Sequence, residues 1–142
     1  MQRSTVSPDE YIASLPDDVR GDLEILDREI SKAMAGEERV LWEGVFWGGS
    51  EQRIIGYGAY EYVGRSGAAG EWFRVGLARQ KAYFSLYVNA TNGEGYVLAR
   101  FVDRIGKVKA SKANVTFKRA ADLDLAVLRE LLQAVRATPA AG

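Results

Sequence analysis

Acidic side chains are concentrated near the start of the chain, and they form the first group that could do chemistry. The carboxylates in this stretch are Asp9, Glu10, Asp17, Asp18, Asp22, Glu24, Asp27 and Glu29. Carboxylate oxygens are hard ligands that hold ferrous iron or magnesium. On a predicted helix Asp18, Asp22 and Glu29 share one side at i, i+4 and i+11, which predicts a weak ferrous iron site. The alternative is a solvated helix face with acids where the helix dipole favours them.

Aromatic side chains form the second group, and they are concentrated on predicted strands. If helices cover only one face of the sheet, the other face exposes many rings and offers a ligand cleft or a partner surface. The alternative is that the rings fill the core and pair across strands. Lys81 precedes one of these strands and is either an anion contact or a turn residue. The predicted ligand-binding residues are Trp42, Tyr57, Tyr60, Trp72, Lys81, Tyr83 and Tyr87.

Basic side chains form the third group, in a run around Gly106. The run consists of Arg104, Lys107, Lys109, Lys112, Lys118 and Arg119. Its spacing is not that of a phosphate-binding loop, and Gly106 is predicted to end a helix, so backbone N–H groups would not converge on an anion. The lysines either hold an acidic ligand as point charges or are solvated loop residues.

Composition excludes several chemistries. The chain has no cysteine and no histidine, so thiol catalysis, zinc–thiolate sites and a Ser-His-Asp triad are ruled out. No residue is predicted to be catalytic, and an enzyme is disfavoured. Lys plus Arg and Asp plus Glu are 19 each, which argues against nucleic acid as the main partner. Without an apolar leader or a long apolar run, the expected location is cytoplasmic, with no membrane partner.

Helices are predicted at both ends of the chain. Ser7 and Pro8 are typical of a helix start, which predicts a helix over 8–15 and a second one from about Pro16 to Gly36. The second helix carries one apolar stripe with a 3.6-residue period. The stripe consists of Val19, Leu23, Leu26, Ile30 and Met34. Two more helices are predicted, over 94–105 and over 122–137.

Between the helices, β-branched and aromatic residues broken by glycines predict strands. They are expected at 40–47, 52–62, 71–79, 82–89 and 113–118, with a hairpin turn at 48–50 and a loop at 64–70. In the fourth strand Tyr83 and Tyr87 alternate with Phe84 and Leu86, so the two pairs face opposite sides. The expected fold is α+β, in the order ααββββαβα. It has an antiparallel sheet of about five strands with helices packed on one face.

The chain resembles the YdhG-like family of bacteria, a domain of unknown function (1801). The segments that carry the resemblance are 7–16 (SPDEYIASLP), 55–58 (IGYG), 77–87 (LARQKAYFSLY), 106–107 (GK), 112–119 (KANVTFKR) and 122–125 (DLDL). The resemblance spans nearly the whole chain and implies one domain over 1–142, with an ordered core over about 5–137. The family has no established catalytic residues. Its fold is similar to that of frataxin, and some members are regarded as frataxin-like iron chaperones.

Two functions therefore remain open. The first is a non-enzymatic module that binds a small molecule or a protein through the aromatic sheet face, with no cofactor, or that buries this face in a homodimer. The second is an intracellular iron chaperone that uses the acidic residues of the first helices, with ferrous iron weakly bound.

Overall fold

A computed structural model describes residues 2–45, 51–63 and 66–138, and three α-helices lie in this part of the chain. Helix α1 (Pro8–Ala13) starts as predicted, because the Ser7 hydroxyl accepts a hydrogen bond from the Glu10 N–H at 3.1 Å. Helix α2 (Asp17–Ala33) buries the predicted apolar stripe, with only its first residue partly exposed. Helix α3 (Leu125–Arg136) begins after Asp124, whose carboxylate caps it.

The strands form a larger antiparallel sheet than the predicted five. In the described residues seven strands follow the order β1-β2-β3-β4-β5-β9-β8, and β6 and β7 form a separate hairpin. The strands are β1 (Gln2–Arg3), β2 (Arg39–Val45), β3 (Glu51–Val63), β4 (Ala69–Arg79), β5 (Phe84–Val88), β6 (Thr91–Asn92), β7 (Gly95–Tyr96), β8 (Lys109–Ala110) and β9 (Asn114–Phe117). Strand β1 lies before the predicted ordered core, and β8 lies in a segment predicted as loop. The predicted turn at 48–50 and the first two residues of the predicted loop at 64–70 lie outside the described residues.

The predicted helix over 94–105 is wrong, although Val97, Leu98, Phe101 and Ile105 are buried and Val102 is partly buried. The segment consists of β7, a 3-10 turn at Val97–Arg100 and further turns. The Asn92 side chain accepts a hydrogen bond from the Glu94 N–H at 2.8 Å, and this holds the preceding hairpin. The hairpin occupies the first residues of this segment, and the chain then buries Val97 and Leu98 through a 3-10 turn, which is tighter than an α-helix.

The helices cover one face of the sheet, as predicted. The main core lies between them and the sheet, and it includes Ile55, Leu77 and Leu86 from the central strands. A second, smaller cluster lies on the opposite face of the sheet, the face predicted to be open. The two faces of β5 divide as predicted, since Phe84, Leu86 and Val88 join the main core and Tyr87 joins the second cluster.

Candidate functional site: a lysine groove beside an aromatic cluster

The open face of the sheet carries a buried aromatic cluster in its central part. The aromatic cluster consists of Trp42, Ile54, Phe73, Ala78 and Tyr87, with Trp72 partly buried against it. Phe73 is fully buried, Trp42 is 4% exposed and Tyr87 is 9% exposed. Their rings lie 6.2 to 6.4 Å from Phe73, and the Trp42 and Trp72 rings are 5.6 Å apart. The rings are tilted or edge-on, as aromatic pairs prefer in cores.

Two glycines leave room for the Trp42 and Phe73 rings to pack closely against the sheet. Gly56 and Gly76 are directly opposite each other in β3 and β4. A Cβ atom on Gly56 would lie 2.6 Å from Trp42 Nε1, and one on Gly76 would lie 2.9 Å from Phe73 Cζ. Because glycine has no side chain, the Trp42 and Phe73 rings pack directly against the backbone at these two positions.

An arginine from the N-terminal strand covers the edge of the aromatic cluster. The Arg3 guanidinium lies 5.5 Å from the centre of the Trp42 ring, a cation–π arrangement. Its Nε and Nη2 donate to the two carboxylate oxygens of Glu71 at 2.6 and 2.8 Å, and it also pairs with Glu38. These hydrogen bonds from Arg3 hold the pKa of Glu71 and of Glu38 below the ordinary value. The prediction of an exposed aromatic face is therefore wrong for Trp42 and Tyr87.

Tyr57 is also placed differently from the prediction, because it points to the helix side of the sheet. It is 1% exposed, and its hydroxyl donates to Asp27 Oδ1 at 2.6 Å. Arg39 donates to the same carboxylate at 3.0 and 2.8 Å. Burial raises the pKa of the Tyr57 hydroxyl well above its usual value, and the charge of Asp27 raises it further. Tyr57 is thus a hydrogen-bonding residue of the main core.

Tyr60 and Trp72 lie opposite each other in the outer part of β3 and β4. Both are half-buried, and the Tyr60 ring lies 6.5 Å from that of Tyr62. Burial raises the pKa of the Tyr60 hydroxyl. Neither residue lines the groove described next.

Tyr83 is the predicted aromatic residue that stays exposed, at 42%, and it lies beside a groove at the β8–β9 edge of the sheet. The groove has a volume of about 720 Å³. The lysine groove is lined by Tyr83, Lys107, Val108, Lys109, Thr116, Phe117, Lys118 and Asp122. Lys81 is exposed in the turn before β5 and does not line this groove.

Sheet pairing explains how the lysine groove forms. Ser85 of β5 lies opposite Thr116 of β9, and Thr116 lies opposite Lys109 of β8. Residues directly opposite in antiparallel strands point to the same face, so Lys109 and Thr116 share the face of Ser85 and Tyr87. Tyr83, Lys107 and Lys118 each lie two residues along the chain from Ser85, Lys109 and Thr116, respectively. The lysine groove therefore lies at the β8–β9 edge of the sheet, where Lys109 and Thr116 come from the face of the aromatic cluster and Val108 and Phe117 come from the face covered by helices.

Hydrogen bonds join the segment before β8 to the segment after β9, and they hold one side of the groove in place. The Lys107 N–H donates to the Asp122 carbonyl at 2.9 Å, and Gly106 (φ 132°) pairs with Leu123. A side chain at Gly106 would collide with that carbonyl. One carboxylate oxygen of Asp122 accepts from the N–H groups of Lys118 and Arg119 at 3.3 and 3.1 Å.

Asp22 supports the same wall from behind, and this changes its predicted role. Arg119 Nε and the Ala120 N–H donate to Asp22 Oδ2 at 2.7 and 3.0 Å. The Arg119 hydrogen bond, the largest cause, lowers the pKa of Asp22. Glu29 is likewise engaged, with Arg129 Nε at 3.0 Å, and that bond lowers its pKa.

The predicted iron ligands are therefore not brought together. Asp18 is exposed, Asp22 is buried against Arg119, and Glu29 faces α3. Among residues 2–45, 51–63 and 66–138 no group of three or more acidic side chains is arranged to hold a metal ion. The prediction that these three carboxylates share a solvent-exposed side is wrong, because Asp22 is paired with Arg119 and Glu29 with Arg129.

Arginine and lysine have different tasks in this protein. In the described part of the chain every ion pair is made by an arginine, including Arg104 and Arg119 of the predicted basic run. The four lysines of that run make none of these pairs, and three of them line the lysine groove. The alternation of Lys107, Val108 and Lys109 was a strand signal in the sequence that could have revealed this wall.

Comparisons with protein families, with curated proteins and with solved structures return no significant match for this chain. The YdhG-like resemblance and the cytoplasmic location therefore stay predictions. No helix among the described residues is both long enough and apolar enough to cross a membrane.

Proposed function

We propose that this protein is a binding domain for an anionic organic ligand, and that the ligand lies in the lysine groove. The single observation that carries the proposal is the convergence of Lys107, Lys109 and Lys118 beside Tyr83 and the apolar side chains of the groove. The site differs from the predicted one, since it lies at the β8–β9 edge of the sheet rather than on the centre of the aromatic face.

The charge of the groove supports an anion as ligand. Three lysines and the carboxylate of Asp122 line one concave surface, so positive charge is in excess there, and among the described residues none of these lysines forms an ion pair. An excess of positive charge attracts anions, and a concave surface strengthens that field. Lysine on an edge strand such as β8 also discourages pairing with other sheets, but that role needs no groove and no lysine at 118.

The size and lining of the groove support an organic ligand rather than a simple ion. Its volume of about 720 Å³ lies within the range of roughly 300–1,000 Å³ typical of small-molecule sites. Val108 supplies partly exposed apolar surface, while Phe117 is 4% exposed and its ring stacks on that of Phe84 at a centroid distance of 5.8 Å.

An NMR titration of the full chain with inorganic phosphate and with benzoate tests the proposal. We expect amide shifts to change at 107–109 and 116–118, and the binding to weaken at least about fivefold in Lys109→Gln and in Lys118→Gln, because each removes a charge from the groove.

Lys32→Gln is the matched control, because Lys32 is an exposed lysine on α2, away from the groove. It should bind both anions as the unmodified chain does. Equal weakening in Lys32→Gln, or shift changes that avoid the groove, would contradict the proposal.

The acidic residues of the first helices are not put forward as an iron site. The engagement of Asp22 by Arg119 and of Glu29 by Arg129 leaves no observation that favours it.

A further inference from the structure

The chemistry of the lysine groove narrows the class of its ligand. Resting on the proposed function above, we infer that the ligand is a phosphate monoester that carries a flat aromatic ring. Nucleoside monophosphates and aryl phosphates share this chemistry.

The cations of the groove favour a phosphate over a carboxylate. Lys107, Lys109 and Lys118 are point charges, whereas the neighbouring Arg119 is bound to Asp22. A planar carboxylate gains most from the two-pronged geometry of a guanidinium, which the lining of this groove lacks. A dianionic, tetrahedral phosphate gains from several ammonium groups at once, whatever their exact orientation.

The aromatic ring of the ligand is indicated by the exposed wall of the groove. Tyr83 offers a ring that is 42% exposed, and the partly exposed Val108 lines the same groove. An inorganic ion would leave this surface in contact with water. A flat ring stacked on Tyr83 covers it, and ring stacking on an aromatic side chain contributes to affinity.

Asp122 indicates that the part of the ligand next to it is uncharged. Its carboxylate lines the groove and is fixed by the N–H groups of Lys118 and Arg119. A second anionic group near Asp122 would be repelled, whereas a hydroxyl or amino group there can donate to the remaining oxygen. A phosphate monoester with an uncharged ring can bind the lysines through its phosphate and is not repelled by Asp122 at its ring.

Calorimetry with the full chain tests this inference with inorganic phosphate, benzoate, phenyl phosphate and uridine monophosphate. We expect phenyl phosphate or uridine monophosphate to bind about tenfold or more tightly than inorganic phosphate, because of ring stacking. Phenyl phosphate should also bind more tightly than benzoate. Of the two aromatic phosphates, the tighter one distinguishes an aryl phosphate from a nucleotide as the source.

Variants of Tyr83 separate the ring from the charge. Tyr83→Ala should lower the affinity for the aromatic phosphates much more than the affinity for inorganic phosphate, whereas Tyr83→Phe should keep the advantage of the aromatic phosphates. Equal affinity for inorganic phosphate and both aromatic phosphates would overturn the inference, and so would benzoate binding as tightly as phenyl phosphate. Either result leaves the proposed function standing, whereas failure of every anion to bind would overturn both.

Discussion

Tyr87 lies in β5 and Tyr83 directly precedes that strand, and these two copies of the same amino acid belong to different regions of the molecule. Tyr87 lies in the aromatic cluster, where Phe73 and Trp42 pack against the glycine pair Gly56 and Gly76. Tyr83 lies at the lysine groove, where charged side chains keep the surface open to water. The rings around Tyr87 bury one another, whereas Tyr83 remains partly exposed to water.

The comparison teaches that burial on a sheet face depends on what the neighbouring strands supply. Around Tyr87 the neighbours are rings and glycines, so the face closes on itself without a helix. Around Tyr83 the groove is lined mainly by lysines, a threonine and an aspartate, and this residue stays 42% exposed. The sheet therefore contributes stability at the centre of this face and a candidate binding site at its β8–β9 edge.

The largest expected effect is on the closed region, in Phe73→Ala. Phe73 is fully buried and contacts both glycines of the pair, so its removal leaves a cavity that the backbone cannot fill. We expect the free energy of unfolding to fall by about 3–5 kcal/mol. Urea unfolding followed by tryptophan fluorescence measures it. A loss below about 1 kcal/mol would mean that this cluster is not a packed core.

The next effect is the contrast between the two tyrosines. Tyr87→Ala should cost about 2–4 kcal/mol, because a ring that is 9% exposed is lost from the cluster. Tyr83→Ala should cost less than about 1 kcal/mol, because this residue is 42% exposed and is not part of either core cluster. Urea unfolding of the two variants side by side gives the difference. Equal costs would break the distinction between the two regions.

A smaller effect is expected for Asp22→Asn, which acts on the groove from behind. Loss of the charged hydrogen bonds from Arg119 and Ala120 should cost about 1–3 kcal/mol and weaken phosphate binding, since Lys118 lies on the anchored segment. Asp18→Asn, an exposed carboxylate one turn earlier on α2, is the control and should change stability by less than about 0.5 kcal/mol.

The pH dependence of stability reports on the same contact. The pKa of Asp22 is lowered in the folded protein, so the unfolded chain takes up the proton first as the pH falls. The stability from Asp22 is present above the ordinary aspartate pKa of about 4 and is lost as the pH falls through the lower folded value. Denaturation between pH 6 and acid pH should therefore show a shallower decline in Asp22→Asn. Parallel profiles would contradict this role.

Salt is expected to have the smallest effect on stability. It should weaken binding that depends on charge and leave the packing of the aromatic cluster unchanged. Raising the salt concentration shortens the Debye length from about 10 Å at 0.1 M to about 3 Å at 1 M. Phosphate binding at the lysine groove should weaken several-fold, while the near-ultraviolet circular dichroism of the aromatic cluster stays unchanged. A binding constant that is insensitive to salt would argue against a charge-driven site.

Much of the local structure could be predicted because its causes lie close together in the chain. The cap at Ser7, the apolar stripe of α2 and the alternation in β5 each depend on residues within a few positions of one another. The wrong prediction of a helix over 94–105 also comes from considering only residues that are close together in the chain. Its apolar spacing fits a helix and also fits a 3-10 turn, and the hairpin before it decides between the two.

What the sequence by itself determined is the α+β class, the helix-side core and the exclusion of cysteine and histidine chemistry. Only the tertiary structure decided which aromatic rings are covered, because that depends on the register that places Gly56 opposite Gly76. Only it could pair Asp22 with Arg119, 97 residues away, and so convert a predicted iron ligand into an anchor. The lysine groove has the same physical origin, since β8 and β9 gather charges that the chain keeps apart.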